Sequence, residues 1–558
     1  TRNYNNTSNS YPRRDTVSFS YTTKGLMLSK QHSDNSGLSV TESYLYNANG
    51  LPKVAATTPR GEDSRTVTVT YDPTCRFVTR SIDHAGNETQ KTYDPATGHC
   101  LSETGIDGLT VLYEYDSWGR PTKVTYPDAT TKNIQYTNTS GGLGNACCYT
   151  TVTENGKPET RTYYDYLGRK THTYVSGQGY TDIVYNKLGQ VMKQTQVPYA
   201  NTSASASSKK WESFRYDAFG RMVRDSSNYQ EDSYSYHIDN TSHLYKESVT
   251  NKLGAVSTKY FDAAGRVARV EDDGGDVTYT YDRVSQSGKV YDRLRITTGA
   301  KTTTVVTDSR DNRLSLTDPD AGTTTSTYDS WGCLLTQTDG KGDVTTMEYD
   351  NQSRVISKTY SLGNSTDAFT YNYGTTGVEK GKVTRVNHNG TVYQEFSYDA
   401  VGRMSSATKY IESVGYTHQY AYNSDGQLYT TTYPSGFVLR HEYDTDGRLK
   451  NLKDNATNMA IYTIDSRNTL SQPKRCWFGN NTGVEYTYNA WGLPTQIKYG
   501  HREVHWPFDP LGNSGGDEIQ GGGILDPLDP IVIGEEPIVP IVGPTFYVGS
   551  QYSVLQYS

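Results

Sequence analysis

Residues 115–137 read YDSWGRPTKVTYPDATTKNIQYT, one copy of a unit that recurs along nearly the whole chain. Its head is an aromatic residue, then Asp or Asn, two variable residues, Gly and often Arg. Six copies are complete: Tyr115-Asp116 with Gly119-Arg120, Tyr164-Asp165 with Gly168-Arg169, Tyr216-Asp217 with Gly220-Arg221, Phe261-Asp262 with Gly265-Arg266, Tyr398-Asp399 with Gly402-Arg403, and Tyr443-Asp444 with Gly447-Arg448. Looser copies start at Tyr46, Tyr71, Tyr93, Tyr185, Tyr281, Tyr328, Tyr349, Tyr422, Tyr488 and Phe508. Where the spacing doubles, worn copies fill the gap at Tyr136, Tyr236 and Tyr371, and Ile464 opens a degenerate IDSRNT. The period is about 23 residues from Tyr21 to Phe508, giving about 22 repeats. A period of that length marks one supersecondary unit repeated, each copy burying its face only against its neighbours.

Each unit holds two turns and two strands. In x-D-x-x-G-R the aspartate accepts from backbone amides further on, and glycine supplies the left-handed conformation that closes the turn. Eight or nine residues later comes a second turn, as in YPDA at Tyr126, DPDAG at Asp318 or YPSG at Tyr433. Between the turns apolar and polar side chains alternate, as in VTYTYD (277–282) and LTVLYEYD (109–116), which is the period of a strand. One repeat is one β-hairpin. A lone hairpin is marginal in water, so the units must pair laterally into a continuous antiparallel sheet. The marks of a WD-type propeller, the leucines of a leucine-rich solenoid and the apolar outer face of a membrane barrel are missing.

Composition supports sheet over helix. Only 34% of residues are hydrophobic, yet 49 are tyrosine, a residue that packs its ring while its hydroxyl meets water or a partner. The charge of −7 is spread along the chain with no basic stripe, which argues against a nucleic-acid partner. No apolar run reaches the roughly 18 residues needed to span a bilayer. Cys75, Cys100, Cys147, Cys148, Cys333 and Cys476 show no CxxC pair and read as small residues at strand positions, with a strained vicinal Cys147–Cys148 bridge as the alternative. The start at Thr1 reads as a processed or truncated product.

The YDxxGR unit at this spacing resembles the YD-repeat (RHS-repeat) family, over about 480 of the 558 residues. The resemblance implies an all-β fold: a long spiral antiparallel sheet of hairpins forming a shell or partial shell. Family members include secreted and cell-surface bacterial toxins, cocoon components of insecticidal toxin complexes, and animal teneurins. In the toxins the shell typically encloses a C-terminal effector. Members that cleave off that effector usually carry YDxxTGRF-like and DPxGL-like motifs before the cut. Here Phe508-Asp509-Pro510-Leu511-Gly512-Asn513 reads as a last ordinary repeat; a DPxGL remnant at Asp509, Pro510 and Gly512 is the alternative, with Asn513 in place of leucine.

The repeat region is expected to run over 1–513, followed by a Gly/Pro-rich linker at 514–530 and an extended, proline-interrupted tail at 531–558. Prolines there forbid helix and central-strand pairing, so IVIG, PIVPIVG and TFYVGSQYSVLQYS are expected to lie extended along another surface.

Candidate chemistry is thin. His501 and His505 stand four apart on a strand, about 13 Å between rings by strand rise, too far to share a metal. The aspartates occupy turn positions, and no GxSxG, P-loop or dinucleotide turn occurs. The motif arginines are expected to bond carboxylates or carbonyls in a ladder between neighbouring hairpins. No catalytic, cofactor or metal site is expected. The resemblance implies a non-enzymatic, exported bacterial scaffold whose partner is its own C-terminal segment or an enclosed effector, with another chain covering the shell ends or the tail. The alternative is a surface adhesin or glycan-binding protein using exposed tyrosine rows.

Overall fold

The structure, a computed structural model, describes residues 15–139, 143–202, 204, 209–227 and 230–501. The chain divides into two units, Thr1–Tyr499 and Gly500–Ser558; the first contains the repeats. The proposed linker and tail, Asp509, Pro510, Gly512, the copy at Phe508, and His505 lie outside the described residues.

The alternating segments form strands. Forty-two run from Asp15–Tyr21 to Pro494–His501, beside one 3₁₀ turn at Gly377–Glu379. They make a single meander in which each strand pairs antiparallel with its neighbour in the chain, as Asp15–Tyr21 does with Met27–Asp34 and Thr110–Tyr115 with Pro121–Thr125. Twenty-one hairpins therefore stand where the period predicts about twenty-two, with residues beyond 501 undescribed.

The motif aromatic sits at a regular slip in the ladder. Tyr115 faces Pro121 while Glu114 faces Lys123, leaving Thr122 as an extra residue on the second strand. The same bulge recurs at Tyr46, Tyr71, Tyr185, Tyr349 and Tyr443. A bulge bends its strand and sharpens the local twist, so a bulge repeated in most hairpins adds curvature in one sense.

That curvature winds the sheet back onto itself. Contacts join turns 267 to 293 residues apart, from His84–Asn351 to Gln178–Ser471. Residues 15 to about 285 make a first coil, and the second coil stacks its motif turns on the opposite-end turns of the first. The crossing falls at an enlarged hairpin, Gly275–Gln286 with Lys289–Thr298, whose tip places the Val290 N–H 3.0 Å from the Asn35 carbonyl.

Three repeat positions shift from their sequence-based placement. Tyr281-Asp282 forms no turn, because this strand runs on through Gln286 and Asp282 pairs across it with Arg293 and Arg295, each at 2.7 Å. The worn copy placed at Tyr371 belongs to Tyr373, which carries the bulge and the hydroxyl bond. The degenerate copy placed at Ile464 begins at Arg467, with Asn468 as the turn acceptor for Leu470 and Gln472. Side-chain function, not the local letters, sets the register.

No large side chain among the described residues is fully buried; the buried apolar set is small and includes Tyr163, Tyr260, Val306 and Ile464. One sheet without a packed second layer must draw its cohesion from strand pairing and from its turns.

Two turn glycines separate backbone conformation from coil packing. Gly168 (φ 74°) and Gly447 (φ 73°) are both left-handed. A Cβ on Gly168 meets nothing within 4 Å, whereas one on Gly447 would stand 2.0 Å from the Gly156 carbonyl oxygen of the other coil. Gly168→Ala is expected to cost about 1–2 kcal/mol through φ alone. Gly447→Ala should cost more, with faster hydrogen exchange around residues 154–158 as the coils part locally.

Candidate functional site: the turn rim and the seam between coils

The aspartate of each motif organises its own turn. Asp116 Oδ1 accepts the N–H groups of Trp118 and Arg120, both at 2.9 Å, and Oδ2 takes Arg120 Nε at 2.7 Å. The Gly119 N–H donates to the Asp116 carbonyl at 3.0 Å with Gly119 at φ 78°. The same set recurs at Asp165–Arg169, Asp217–Arg221, Asp262–Arg266 and Asp399–Arg403. The arginine's ionic partner is thus the aspartate of its own turn, not a carboxylate of the neighbouring hairpin, because the left-handed glycine brings residue i+4 back over residue i.

The link between hairpins comes from the other side of the guanidinium. Arg120 lies 4.1 Å over the ring of Tyr136, the next repeat's aromatic, and Arg169, Arg221, Arg266 and Arg403 cover Tyr185, Tyr236, Tyr281 and Tyr422 at 4.2–4.6 Å. Each covered tyrosine donates its hydroxyl to the carbonyl just after that arginine: Tyr136 to Pro121 at 3.1 Å, Tyr185 to Lys170 at 2.8 Å, Tyr281 to Val267 at 2.9 Å, Tyr422 to Met404 at 2.9 Å. Tyr115, Tyr216, Tyr398 and Tyr443 donate in the same way to Cys100, Val191, Val383 and Leu428. Aspartate fixes arginine, arginine covers tyrosine, and tyrosine closes on the preceding repeat.

Variants of the motif keep the function with other chemistry. In two of the longer turns an aromatic replaces arginine, and Phe77 stacks on Tyr93 and His99 on Tyr115 at 4.9 and 4.6 Å. Gln427 and Gln472 reach the next turn's glycine carbonyl instead, at 2.8 Å to Gly447 and 3.1 Å to Gly492. Arg467 stands where tyrosine is expected and donates to the Leu449 carbonyl at 2.7 Å.

In the second coil these turns also hold the seam. Arg403 reaches Asp128 at 3.4 Å, Gln427 the Gly156 carbonyl at 3.0 Å, and Asp425 accepts from Asn155 at 2.9 Å. Arg448 departs from the pattern: its guanidinium bonds Asp446 at 3.0 Å and the Ser176 carbonyl, while Asp444 keeps its backbone N–H. Arg65 of the first coil lies 3.9 Å over Trp331 and bonds Ser353 at 2.8 Å. Sequence reasoning missed the seam, since its partners lie some 270 residues apart and the opposite-end turns share no motif. A polar cavity of about 620 Å³ opens along it, lined by Gly156 and Lys157 on one side and Asn423, Asp425 and Asp444 on the other.

One charged cluster stands outside the repeats. Asp182, 5% exposed, accepts Lys209 Nζ at 2.6 Å and the Tyr199 hydroxyl, with His172 Nε2 at 3.6 Å. Burial, then the Asp182 bond, pushes the Tyr199 phenol up; burial pushes His172 down against the pull of Asp182. Both carboxylate oxygens are engaged, so the cluster fastens the enlarged turn after Thr195 to the sheet. The cysteines are unpaired: Cys147 and Cys148 sulfurs stand 3.8 Å apart, and Cys75 occupies a turn-glycine position at φ 57° rather than a strand. Among the described residues no three His, Cys, Asp or Glu side chains gather to hold a metal, and no helix is long and apolar enough to cross a membrane, which leaves strand-crossing barrels unaddressed.

This geometry defines a class of protein: one meander of tyrosine-locked hairpins coiled upon itself. Residues 93–131 and 328–365 match the family model described as RHS Repeat. The crystal structure of TcdB2-TccC3 is similar over 89% of this chain and 32% of its own, with TM-score 0.67 and 13% identity. A TcdB2-TccC3 structure without the hypervariable C-terminal region gives 0.67 and 13% over 89% and 34%. The Photorhabdus luminescens Tc holotoxin pore gives 0.66 and 13% over 88% and 31%. The chain spans about a third of the length of these solved chains. No curated protein matches. At residues 93–131 and 328–365 the chain carries RHS-type repeats, and over most of its length it shares the fold of these solved chains.

Two predictions follow from the turn chemistry. Arg403→Ala removes an ion pair, the cover on Tyr422 and a seam contact, and should cost about 1–2 kcal/mol; Arg266→Ala, off the seam, should cost less by thermal unfolding. Acid should act in two stages. Burial lowers His172 and His441, so their unfolded forms take protons first and stability falls as pH drops below about 6.5. Burial raises Asp165, Asp262 and Asp399, but their bonds to the motif arginine side chain and backbone outweigh it and hold them low. Their contribution is complete above about pH 4 and is lost as pH falls through the lowered values. Melting temperature against pH should show a shallow step and then a steep one.

Proposed function

We propose that this chain is wall material: part of an exported, non-enzymatic RHS-type scaffold that encloses or presents a C-terminal segment or toxin-like cargo. The observation that carries this reading is the continuous sheet stacking coil on coil, its conspicuous Asp, Arg and Tyr groups consumed in joining one repeat to the next. Residues engaged that way build an enclosure and leave little for turnover. The shared fold with TcdB2-TccC3, a complex with a hypervariable C-terminal region, supports the same role. Export to a surface or the medium accords with that kinship. The adhesin reading gains nothing from the motif tyrosines, since arginine covers one ring face and the hydroxyl is bonded.

Limited proteolysis of the full chain with mass spectrometry tests enclosure. Peptides from residues 514–558 should stay uncut under native conditions and be cleaved once denaturant opens the sheet. Rapid cleavage of the tail from an intact sheet would contradict enclosure.

A further inference from the structure

The third residue after the motif aromatic stands at the tip of each turn, and its exposure differs between coils. In the first coil Trp118, Leu167, Leu188 and Phe219 are 77–85% exposed. In the second coil Trp331, Val401, Leu470 and Trp491, at the same position, are half-buried. The difference is the seam: the second coil's tips lie against the opposite-end turns of the first, as Trp331 does under Arg65 at 3.9 Å. The first coil's motif rim has the same chemistry with nothing seated on it among the described residues. A row of large apolar tips on a polar protein marks an interaction surface.

The second coil carries the matching rim. Its opposite-end turns present Leu362, Ile411, Val414 and Met459 at 51–63% exposure. The described residues therefore bear, on the outer side of each coil, the two kinds of rim that already meet between the coils. We propose that the occupant of the first coil's motif rim is the second coil's opposite rim of another copy of this chain, in a head-to-tail contact that repeats the internal seam. Such a contact is heterologous, so it leaves both outer rims free and propagates unless rotation closes a ring. Arg120, Arg169, Arg221 and Arg266 line the contact as Arg403 lines the seam, facing turn carbonyls and carboxylates.

Sedimentation velocity on the full chain from micromolar to millimolar concentration tests this. The expected result is growth of dimers and longer species with concentration. A Leu188→Asp, Phe219→Asp variant blocks one rim and an Ile411→Asp, Met459→Asp variant the other. Each alone should remain monomeric with unchanged thermal unfolding, because the altered side chains are exposed. Mixed, they should form a one-to-one dimer that grows no further, since each retains one intact rim. A wild-type chain that stays monomeric throughout, variants that associate as wild type does, or a mixture with no dimer would overturn the proposal.

Discussion

The structure depends on one bond repeated along the chain: a tyrosine hydroxyl donating to the carbonyl that follows the preceding turn. A single sheet with almost no buried core gets little from apolar packing, so its cohesion has to be built at each hairpin junction. A neutral hydrogen bond contributes about 0.5–1.5 kcal/mol net, too little to order a hairpin alone. Here the ring also lies beneath a guanidinium that an aspartate holds still. The tyrosine therefore closes on a partner already in position, and the entropy lost on closing is small. Bulge, turn and bond coincide within six residues, so the device that joins two repeats also bends the sheet.

From that bend follows the seam. Once curvature has the same sense in every repeat, the meander must meet itself, and the surfaces that meet are turn rims. The motif turns serve twice: along the sheet they lock neighbours, and across the coils Arg403, Gln427 and Arg448 reach the turns of the layer beside them. This double use accounts for the long donor that Arg403, Gln427 and Arg448 each place at this position. It also explains Gly447, whose missing side chain lets two backbones touch.

Much of the architecture was readable from the letters because its cause is local. Tyr115, Asp116, Gly119 and Arg120 lie within six residues, and strand alternation between turns is equally local. The direction of the arginine was not readable: the motif arginines were expected to bond carboxylates or carbonyls between neighbouring hairpins, while the left-handed Gly119 folds Arg120 onto Asp116 and leaves its face for Tyr136. Register errors had the same origin. Tyr371 and Ile464 fit the motif by spelling, but Tyr373 and Arg467 occupy the geometric place, and at Tyr281 strand pairing with Leu294 overrode the turn. The seam and the Asp182–Lys209–Tyr199 cluster were invisible, the first because its partners are hundreds of residues apart, the second because it belongs to one irregular turn.

The central claim is that arginine and tyrosine of successive repeats act as a coupled pair rather than as separate surface groups. A double-mutant cycle on Arg266 and Tyr281, away from the seam, measures this directly. Arg266→Met and Tyr281→Leu are made singly and together, and local stability is read from hydrogen exchange of the strands Val267–Asp272 and Gly275–Gln286. The account predicts non-additivity of about 0.5–1 kcal/mol, the double variant losing less than the sum of the singles. Strict additivity would mean that the stacked geometry contributes no coupling, and the account of how these hairpins are joined would fail.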